Sequence, residues 1–166
     1  MTRRRGSELT AELVERLSQR DLPSRLGVVL PFVTIDRAGR PHPMLLSYLE
    51  VRAYDTRTVG LVIQAESGSA HNLVERGVGT LLVVEPTAIA YVKARALDGP
   101  LPVAGGEELG LGYFLLEVEE VLEDAAADWE AGVRIAEAAR YHPAPSVQEP
   151  WARAMLGALA VPRARA

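Results

Sequence analysis

The residues best suited to chemistry in this 166-residue chain form the stretch Ser67 to Leu73, with the sequence Ser-Gly-Ser-Ala-His-Asn-Leu. It lies between two runs rich in β-branched residues, 58–64 and 79–84, which predicts a turn leading from a strand into a short helix. A serine at such a turn can cap the helix, because its hydroxyl accepts a hydrogen bond from a free N–H of the first turn. Free N–H groups, the positive end of the helix dipole and spare hydroxyls together favour a phosphate or another anion. A capped helix without a ligand is the alternative interpretation of the same spacing.

Other polar residues carry fewer indications of chemistry. Ser47 lies among leucines in a predicted strand and needs a hydrogen-bond partner, either a ligand or the neighbouring backbone. His71 either contacts an anion or is an exposed helix residue, and His42 and His142 are expected to be structural. The three histidines are not spaced as metal ligands, so we predict no metal site. No serine lies in a nucleophile elbow, and no His/Asp pair suggests a catalytic triad.

The composition limits the classes of partner. Hydrophobic residues make up 48% of the chain and charged residues 24%, which is typical of a soluble globular protein. The net charge of −4 argues against nucleic acid as the main partner, and no apolar run is long enough to predict a membrane span. The chain has no cysteine, which fits a reducing cytoplasm. The basic start, Thr2 to Arg5, is expected to be a solvated, frayed terminus.

The pattern of apolar residues predicts one domain over residues 1–166, because the chain is too short for two ordinary ones. Residues 1–26 predict a helix over 7–19 and a linker, and residues 123–166 predict two helices, 124–140 and 146–160, and a tail. Six strands are predicted between them, over residues 27–35, 42–51, 58–64, 79–84, 87–96 and 111–122.

Short strands joined mostly by hairpin turns predict a mainly β fold, a small antiparallel barrel with helices over its openings. Pro31 and Pro43 fall within predicted strands and lack an N–H, so each predicts an edge position or a bulge. The strand 79–84 is apolar on both faces and is expected to be central. Such barrels leave little interior room, so a ligand is expected outside, at a barrel rim or a subunit interface. The exposed apolar sheet surface predicts a dimer.

Two motifs in this order carry a resemblance to a known family. They are Gly39-Arg-Pro-His-Pro43 and the Ser67 to Leu73 stretch, the latter followed by Thr80-Leu-Leu-Val-Val84. From about Gly27 to about Leu122 the chain resembles the pyridoxamine 5′-phosphate oxidase-like family.

That resemblance implies a six-stranded antiparallel split β-barrel of the FMN-binding type, with N- and C-terminal helices, and a homodimer with FMN at the subunit interface. It implies that the flavin phosphate lies at the start of the helix after the third strand and that the ring lies along the second and third strands. The cofactor-binding residues that it implies are Met44, Ser47, Gln64, Ala65, Ser67, Ser69, His71, Asn72 and Lys93.

The chain departs from the family at one informative position. Many members carry a lysine or arginine three residues before the asparagine, where this chain has Ser69. A phosphate there loses a charge-assisted hydrogen bond. The clustered basic residues that pyridoxamine phosphate oxidases use on their substrate are also missing, so vitamin B6 synthesis is not expected.

Two functions remain open from the sequence. One is an FMN-dependent oxidoreductase acting on a small-molecule substrate or electron donor, with no catalytic residue identified. The other is a non-catalytic module of the same fold that binds flavin, the deazaflavin F420 or haem for storage or sensing. Ser69 favours the second, whereas the preserved strand–turn–helix order favours the first.

Overall fold

Residues 2–124 and 132–164 are described by a computed structural model. They form eight strands and four helices. The strands are β1 (Thr2–Gly6), β2 (Val29–Ile35), β3 (Pro41–Ser47), β4 (Val51–Ala53), β5 (Thr58–Gln64), β6 (Val78–Glu85), β7 (Ala88–Pro102) and β8 (Leu111–Asp124). The helices are α1 (Ala11–Leu17), α2 (Leu22–Arg25), α3 (Gly68–Arg76) and α4 (Pro150–Ala158).

All strands belong to one antiparallel sheet that curls into an open half-barrel. Its strand order is β3-β2-β6-β7-β8-β5-β4, and β1 pairs with β8. Within the described ranges no ladder joins β3 to β4, so the two ends of the path leave the barrel split. Side chains facing the inside form the main core, among them Phe32, Leu81 and Phe114, each at most 5% exposed. No helix in these ranges is long and apolar enough to cross a membrane.

Six of these strands lie where alternation and β-branched content predicted them, but the predicted strand 42–51 is wrong beyond Ser47, because a turn over 48–50 ends β3 and β4 begins at Val51. The predicted central strand is β6, which lies between β2 and β7. Pro43 lies on the edge strand β3, as predicted. Pro31 lies in β2 outside its ladder with β6, which pairs only with residues 32–34 of β2. Each proline is thus found where its missing N–H leaves no ladder bond unmade.

The N terminus is a strand, so the predicted frayed terminus is wrong. Arg4 pairs with Leu122 in the antiparallel ladder of β1 on β8. Side chains reinforce the ladder, with Arg4 Nε 2.9 Å from Glu120 Oε1 and Arg5 Nε 2.5 Å from Glu123 Oε2. The acidic face of β8 lies far away in sequence, and it supplies the partners that order this basic run.

Two further expectations need correction. The predicted loop 97–108 begins too early, because β7 continues to Pro102 through Gly99, whose φ of +130° suits glycine. The predicted helix 124–140 is wrong over 132–140, which the structure shows as non-helical, while 125–131 lie outside the described residues. The end of the segment 132–140 meets the start of β2, where Val29 N donates to Ala139 O at 2.9 Å.

The predicted helices at the two ends are present but shorter. The helix expected over 7–19 is α1, which Thr10 caps by accepting from Leu13 N at 3.3 Å. The helix expected over 146–160 is α4, which starts at Pro150. The predicted capping box is not formed, because Ser146 Oγ accepts from Gln148 N and Glu149 occupies the N-cap position.

A buried polar cluster fixes the N-terminal helices to the half-barrel. Glu85 Oε2 accepts from Arg16 Nη1 at 2.9 Å and from Arg25 Nη1 at 3.1 Å, and Glu85 Oε1 accepts from the Tyr48 hydroxyl. Arg16 and Glu85 are each 8% exposed. Burial, and then the hydrogen bond to Glu85, raises the pKa of Tyr48, so this hydroxyl stays protonated and donates.

The substitution Glu85→Gln should destabilise the protein by about 3–5 kcal/mol, because it removes the buried carboxylate that Arg16 and Arg25 share and leaves the buried Arg16 with only the exposed Glu12 as its counter-charge. The matched control is Glu12→Gln, which removes the other carboxylate bound to Arg16. Its side chain is 64% exposed, so the expected loss is below about 1 kcal/mol. Urea unfolding measures both free energies, and equal losses would show that the buried cluster is not a special source of stability.

Candidate functional site

The start of α3 is built by the turn that follows β5. Ser67 N donates to Gln64 O at 3.1 Å, and Ser67 Oγ then accepts from Ala70 N at 3.2 Å, which confirms the predicted N-cap. The helix ends at Gly77, whose φ of +70° is the left-handed cap that glycine allows. Within the described part of the chain, the N–H groups of Gly68 and Ser69 have no acceptor. The first turn therefore presents two free donors.

His42 completes this end of the helix, although the sequence indicated only a structural residue there. Its Nε2 lies 3.0 Å from the position that a Cβ on Gly68 would take. Gly68 thus allows the imidazole of β3 to approach the first turn of α3 closely. The signal in the sequence was alternation along β3, which directs His42 and Met44 to one face and Leu45 to the other.

Asn72 fastens α3 to the sheet. Its Nδ2 donates to Thr34 Oγ1 at 2.9 Å, and Thr34 Oγ1 donates to His42 O at 3.3 Å. Asn72 is 8% exposed and Thr34 is fully buried. The amide thereby holds the helix start against β2 and β3.

Ser69 and His71 point in opposite directions. Ser69 is 1% exposed, and its buried Oγ has no hydrogen-bond partner within the described ranges. The side chain of His71 is 60% exposed, and its Nε2 lies 3.6 Å from Glu66 Oε2. A ligand arriving from solvent meets His71 before it meets Ser69.

The other predicted residues divide between this cluster and more distant places. Gln64, which is exposed, and Ala65 lead directly into α3, and Met44 lies on β3 beside the core. Lys93 lies on the outer face of β7, where its Nζ is 2.5 Å from Glu120 Oε2. Ser47 lies on the other face of β3 from Met44. The structure therefore brings Ser67, Ser69, Asn72 and His42 together, but not Ser47 or Lys93.

No lysine or arginine of the described chain forms a hydrogen bond or ion pair with the start of α3, which lies beside the exposed carboxylate of Glu66. The nearest guanidinium groups that contact α3 do so at its other end, where Arg37 Nη2 binds Glu75 Oε1 at 3.2 Å and Arg76 Nη2 binds Arg37 O at 2.5 Å. An anion at the first turn would meet N–H groups, a hydroxyl and an imidazole, with the exposed carboxylate of Glu66 nearby. Within residues 2–124 and 132–164, no group of three His, Asp or Glu side chains could hold a metal ion.

Ser47 belongs to a separate groove of about 530 Å³. One wall is the end of β3 with Leu45, and the other is the segment 141–146 together with Trp151 of α4. Glu50 lies at the base, where its Oε2 accepts from Ser47 N at 2.6 Å and from Ser47 Oγ at 2.9 Å. The polar partner that Ser47 needs is thus a carboxylate of its own chain, a contact that the sequence analysis missed.

Burial sets the protonation behaviour of this groove. It raises the pKa of Glu50, and the two hydrogen bonds from Ser47 only partly offset the effect. Burial, and then the nearby charge of Glu50, also raises the pKa of Tyr141. The charge of Glu50 therefore affects the ionisation of Tyr141 across the groove.

The outer face of the sheet carries a second surface, which we call the outer apolar face. Its side chains alternate with those of the core along four neighbouring strands, and Leu45 on the edge strand is 58% exposed. The members are Pro31, Val33, Ile35, Leu45, Leu82, Val84, Ile89 and Tyr91. Contiguous apolar surface of this kind is typical of an interface.

The pH dependence of stability should report Glu50. Its pKa is raised in the folded state, so the stability that it contributes is present below its unfolded pKa and is lost as pH rises through the folded value. Glu50→Gln cannot titrate, so the free energy of unfolding of the variant relative to the natural protein should rise as pH increases above the ordinary glutamate pKa of about 4.3. Ser47→Ala removes the hydroxyl that lowers this pKa and should move the transition to higher pH. A difference that stays constant with pH would contradict this assignment.

Comparison with known proteins shows the fold. No protein-family model and no curated protein matches the sequence. Solved structures do match, among them a protein from Lactobacillus delbrueckii assigned as a pyridoxamine 5′-phosphate oxidase, at 16% identity and a TM-score of 0.54 over 70% of this chain and 95% of that one. An FMN-binding protein from Syntrophomonas wolfei matches at 12% identity and a TM-score of 0.53, over 70% of this chain and 88% of that one.

HupZ from Group A Streptococcus matches over a larger part of the chain. Its identity is 10% and its TM-score 0.50, over 80% of this chain and 99% of that one. At such identities the likeness is one of fold. The predicted mainly β, split-barrel architecture is confirmed: the chain has the fold of pyridoxamine 5′-phosphate oxidase-like and FMN-binding split-barrel proteins.

Proposed function

We propose that this protein binds FMN, with the phosphate at the start of α3, and that it acts as a flavin-dependent oxidoreductase. The observation that carries the proposal is the helix start itself, which has two N–H groups free of acceptors in the described chain and lies at the end of a split-barrel strand. The S. wolfei protein of the same fold is an FMN-binding protein. Helix starts with free donors favour anions.

The groups present fit a phosphate with neutral donors. Ser67 Oγ accepts from Ala70 N and still has its own proton to donate. The imidazole of His42 lies beside Gly68, where no Cβ intervenes. FMN would supply two-electron redox chemistry when bound, and the residues of this chain would bind its phosphate and orient it along β3 and β5. Because charge-assisted bonds from lysine or arginine are missing, we expect moderate affinity.

A second copy of the chain completes the proposal. The outer apolar face offers a surface that a homodimer could cover, and it includes Leu45 of the same strand β3 that carries His42 and Met44. Within one copy, Lys93 forms an ion pair with Glu120 on the outer face of the sheet. It could therefore reach the cofactor only in a site that a second copy helps to form. The lack of cysteine fits action in the reducing cytoplasm.

The contribution of the phosphate to the binding affinity is measured by titrating the protein with FMN and with riboflavin, which lacks the phosphate. We expect FMN to bind about tenfold more tightly, because a hydrogen-bonded dianion contributes on the order of 1–3 kcal/mol. Ser67→Ala should reduce that ratio by removing the hydroxyl at the helix start.

Thr10→Ala is the matched control, because it removes the equivalent cap of α1 and nothing at the proposed site. It should leave the FMN-to-riboflavin ratio unchanged while lowering stability by about 0.5–2 kcal/mol, as Ser67→Ala does. Equal binding of FMN and riboflavin would refute the phosphate site. A colourless protein that ignores both would refute flavin binding, and F420 and haem would then be the next ligands to test.

An oxidoreductase is distinguished from a storage or sensing module by measuring NADH and NADPH oxidation by the FMN-loaded protein. Turnover that depends on FMN is expected for an oxidoreductase. Tight FMN binding without turnover by either donor would favour the storage or sensing module instead, for which the absence of a basic residue beside the phosphate is the supporting observation.

The dimer is tested with Leu82→Arg, which places a charge in the middle of the outer apolar face. Sedimentation at micromolar concentration should show a dimer for the natural protein and a monomer for the variant, because an unpaired charge at an interface core is strongly unfavourable. Leu109→Arg is the control, since Leu109 is 45% exposed and lies outside this face. A natural protein that sediments as a monomer would rule the shared site out.

A further inference from the structure

The groove around Glu50 is unused by the proposed phosphate site. Only Ser47 is shared with the residues that the resemblance implies for the cofactor, and its hydroxyl already donates to Glu50. The groove has about 530 Å³ and is open to solvent, which is the size of a small-molecule site. Its lining combines apolar walls with a few convergent polar groups.

The charges in the groove have one sign. Glu50 lies at the base and Glu149 at the rim, and no basic side chain of the described chain lines it. Glu50 binds Ser47 through Oε2 alone, so within the described residues its Oε1 accepts no hydrogen bond. The flanking guanidinium groups are engaged elsewhere, because Arg140 donates to Leu26 O and Arg153 to Gln148 O.

Two aromatic rings line the same groove. Tyr141 comes from the segment beside β2, and Trp151 from the first turn of α4. Aromatic faces attract cations through their quadrupoles, and tryptophan does so most strongly. Pro143 and Pro145 add rigid apolar surface between the rings.

We infer that this groove binds an organic cation, an amine or quaternary ammonium group attached to an apolar body. The ammonium group lies between the Glu50 carboxylate and the ring of Trp151, and the apolar body lies against Pro143 and Pro145. The electrostatic attraction and the aromatic contact act on the same end of the ligand. An anion of equal size gains neither.

The probe is benzyltrimethylammonium, titrated against the 166-residue protein by ligand-observed NMR, with benzyl alcohol as a neutral probe that has the same ring. We expect saturable binding of the cation, much weaker binding of the alcohol, and loss of cation affinity as salt rises from about 50 to 500 mM. Glu50→Gln should weaken binding at least about fivefold, since it removes a charge-assisted contact.

Variants at two further groove residues test the proposal without relying on the folding of the Glu50→Gln protein. Glu149→Gln lies at the exposed rim and should weaken binding about two- to fivefold. Trp151→Leu should weaken it at least about threefold, whereas Trp151→Phe should retain most of the affinity. Glu15→Gln removes an exposed carboxylate of α1 that does not line the groove, so it should change nothing.

Equal binding of the cation and the alcohol, or cation binding that none of the groove variants weakens, would overturn the proposal. The titration is run with and without FMN. Cation binding by a protein that does not bind FMN would leave the groove proposal standing and remove the cofactor proposal. FMN binding without cation binding would do the reverse.

Discussion

The open side of the half-barrel between β3 and β4, which we call the seam, is held together by the Glu85 carboxylate. The two ends of the sheet, β3 and β4, share no ladder within the described chain, and only residues 48–50 connect them. Glu85 of the central strand β6 reaches this connection through the Tyr48 hydroxyl and holds the N-terminal helices through Arg16 and Arg25. A carboxylate buried between two guanidinium groups is tolerated because each formal charge is compensated by hydrogen bonds.

Gln19 adds to the same seam. Its Nε2 donates to Tyr48 O at 2.9 Å and to Val51 O at 3.2 Å, so a side chain takes the place of strand pairing across the connection. The backbone carbonyls that an open barrel leaves unpaired are thereby satisfied. With this seam fixed, α3 packs on one side of β3 and the groove lies on the other.

The alternation of β3 separates two chemically different surfaces. His42 faces the start of α3, which carries N–H donors, and Ser47 faces the groove, which carries Glu50 and Glu149. One strand thus presents different chemistry on its two faces. This follows from the two-residue period of a strand and needs no separate domain.

The sequence could predict those features that depend on interactions between residues close together in the chain. The strands β5, β6 and β8 and the Ser67 cap depend on patterns within a few residues, and these predictions are confirmed. Contacts between distant segments were not accessible. The strand character of Arg3 to Arg5 depends on glutamates more than a hundred residues away, and the partner of Ser47 depends on the turn that brings Glu50 back.

The same limit applies to the helical pattern after β8. Spacing of Val133 and Ala136 suggested a helix, but 132–140 are not helical, and at their end Ala139 and Arg140 pair instead with Val28 and Val29 at the start of β2. Tertiary pairing overrode a weak local preference. The wall of the groove is made by the chain that follows, so a site there could not be foreseen from its sequence.

The prolines of β3 limit how copies of this protein can associate. Pro41 and Pro43 lie at alternate positions on the free edge of the sheet, where they remove outward N–H donors, and the opposite end of the path, β4, is only three residues long. Strand-by-strand extension is blocked at the β3 margin and has almost no template at β4. Association through a face, unlike extension along an edge, can close on itself with two-fold symmetry.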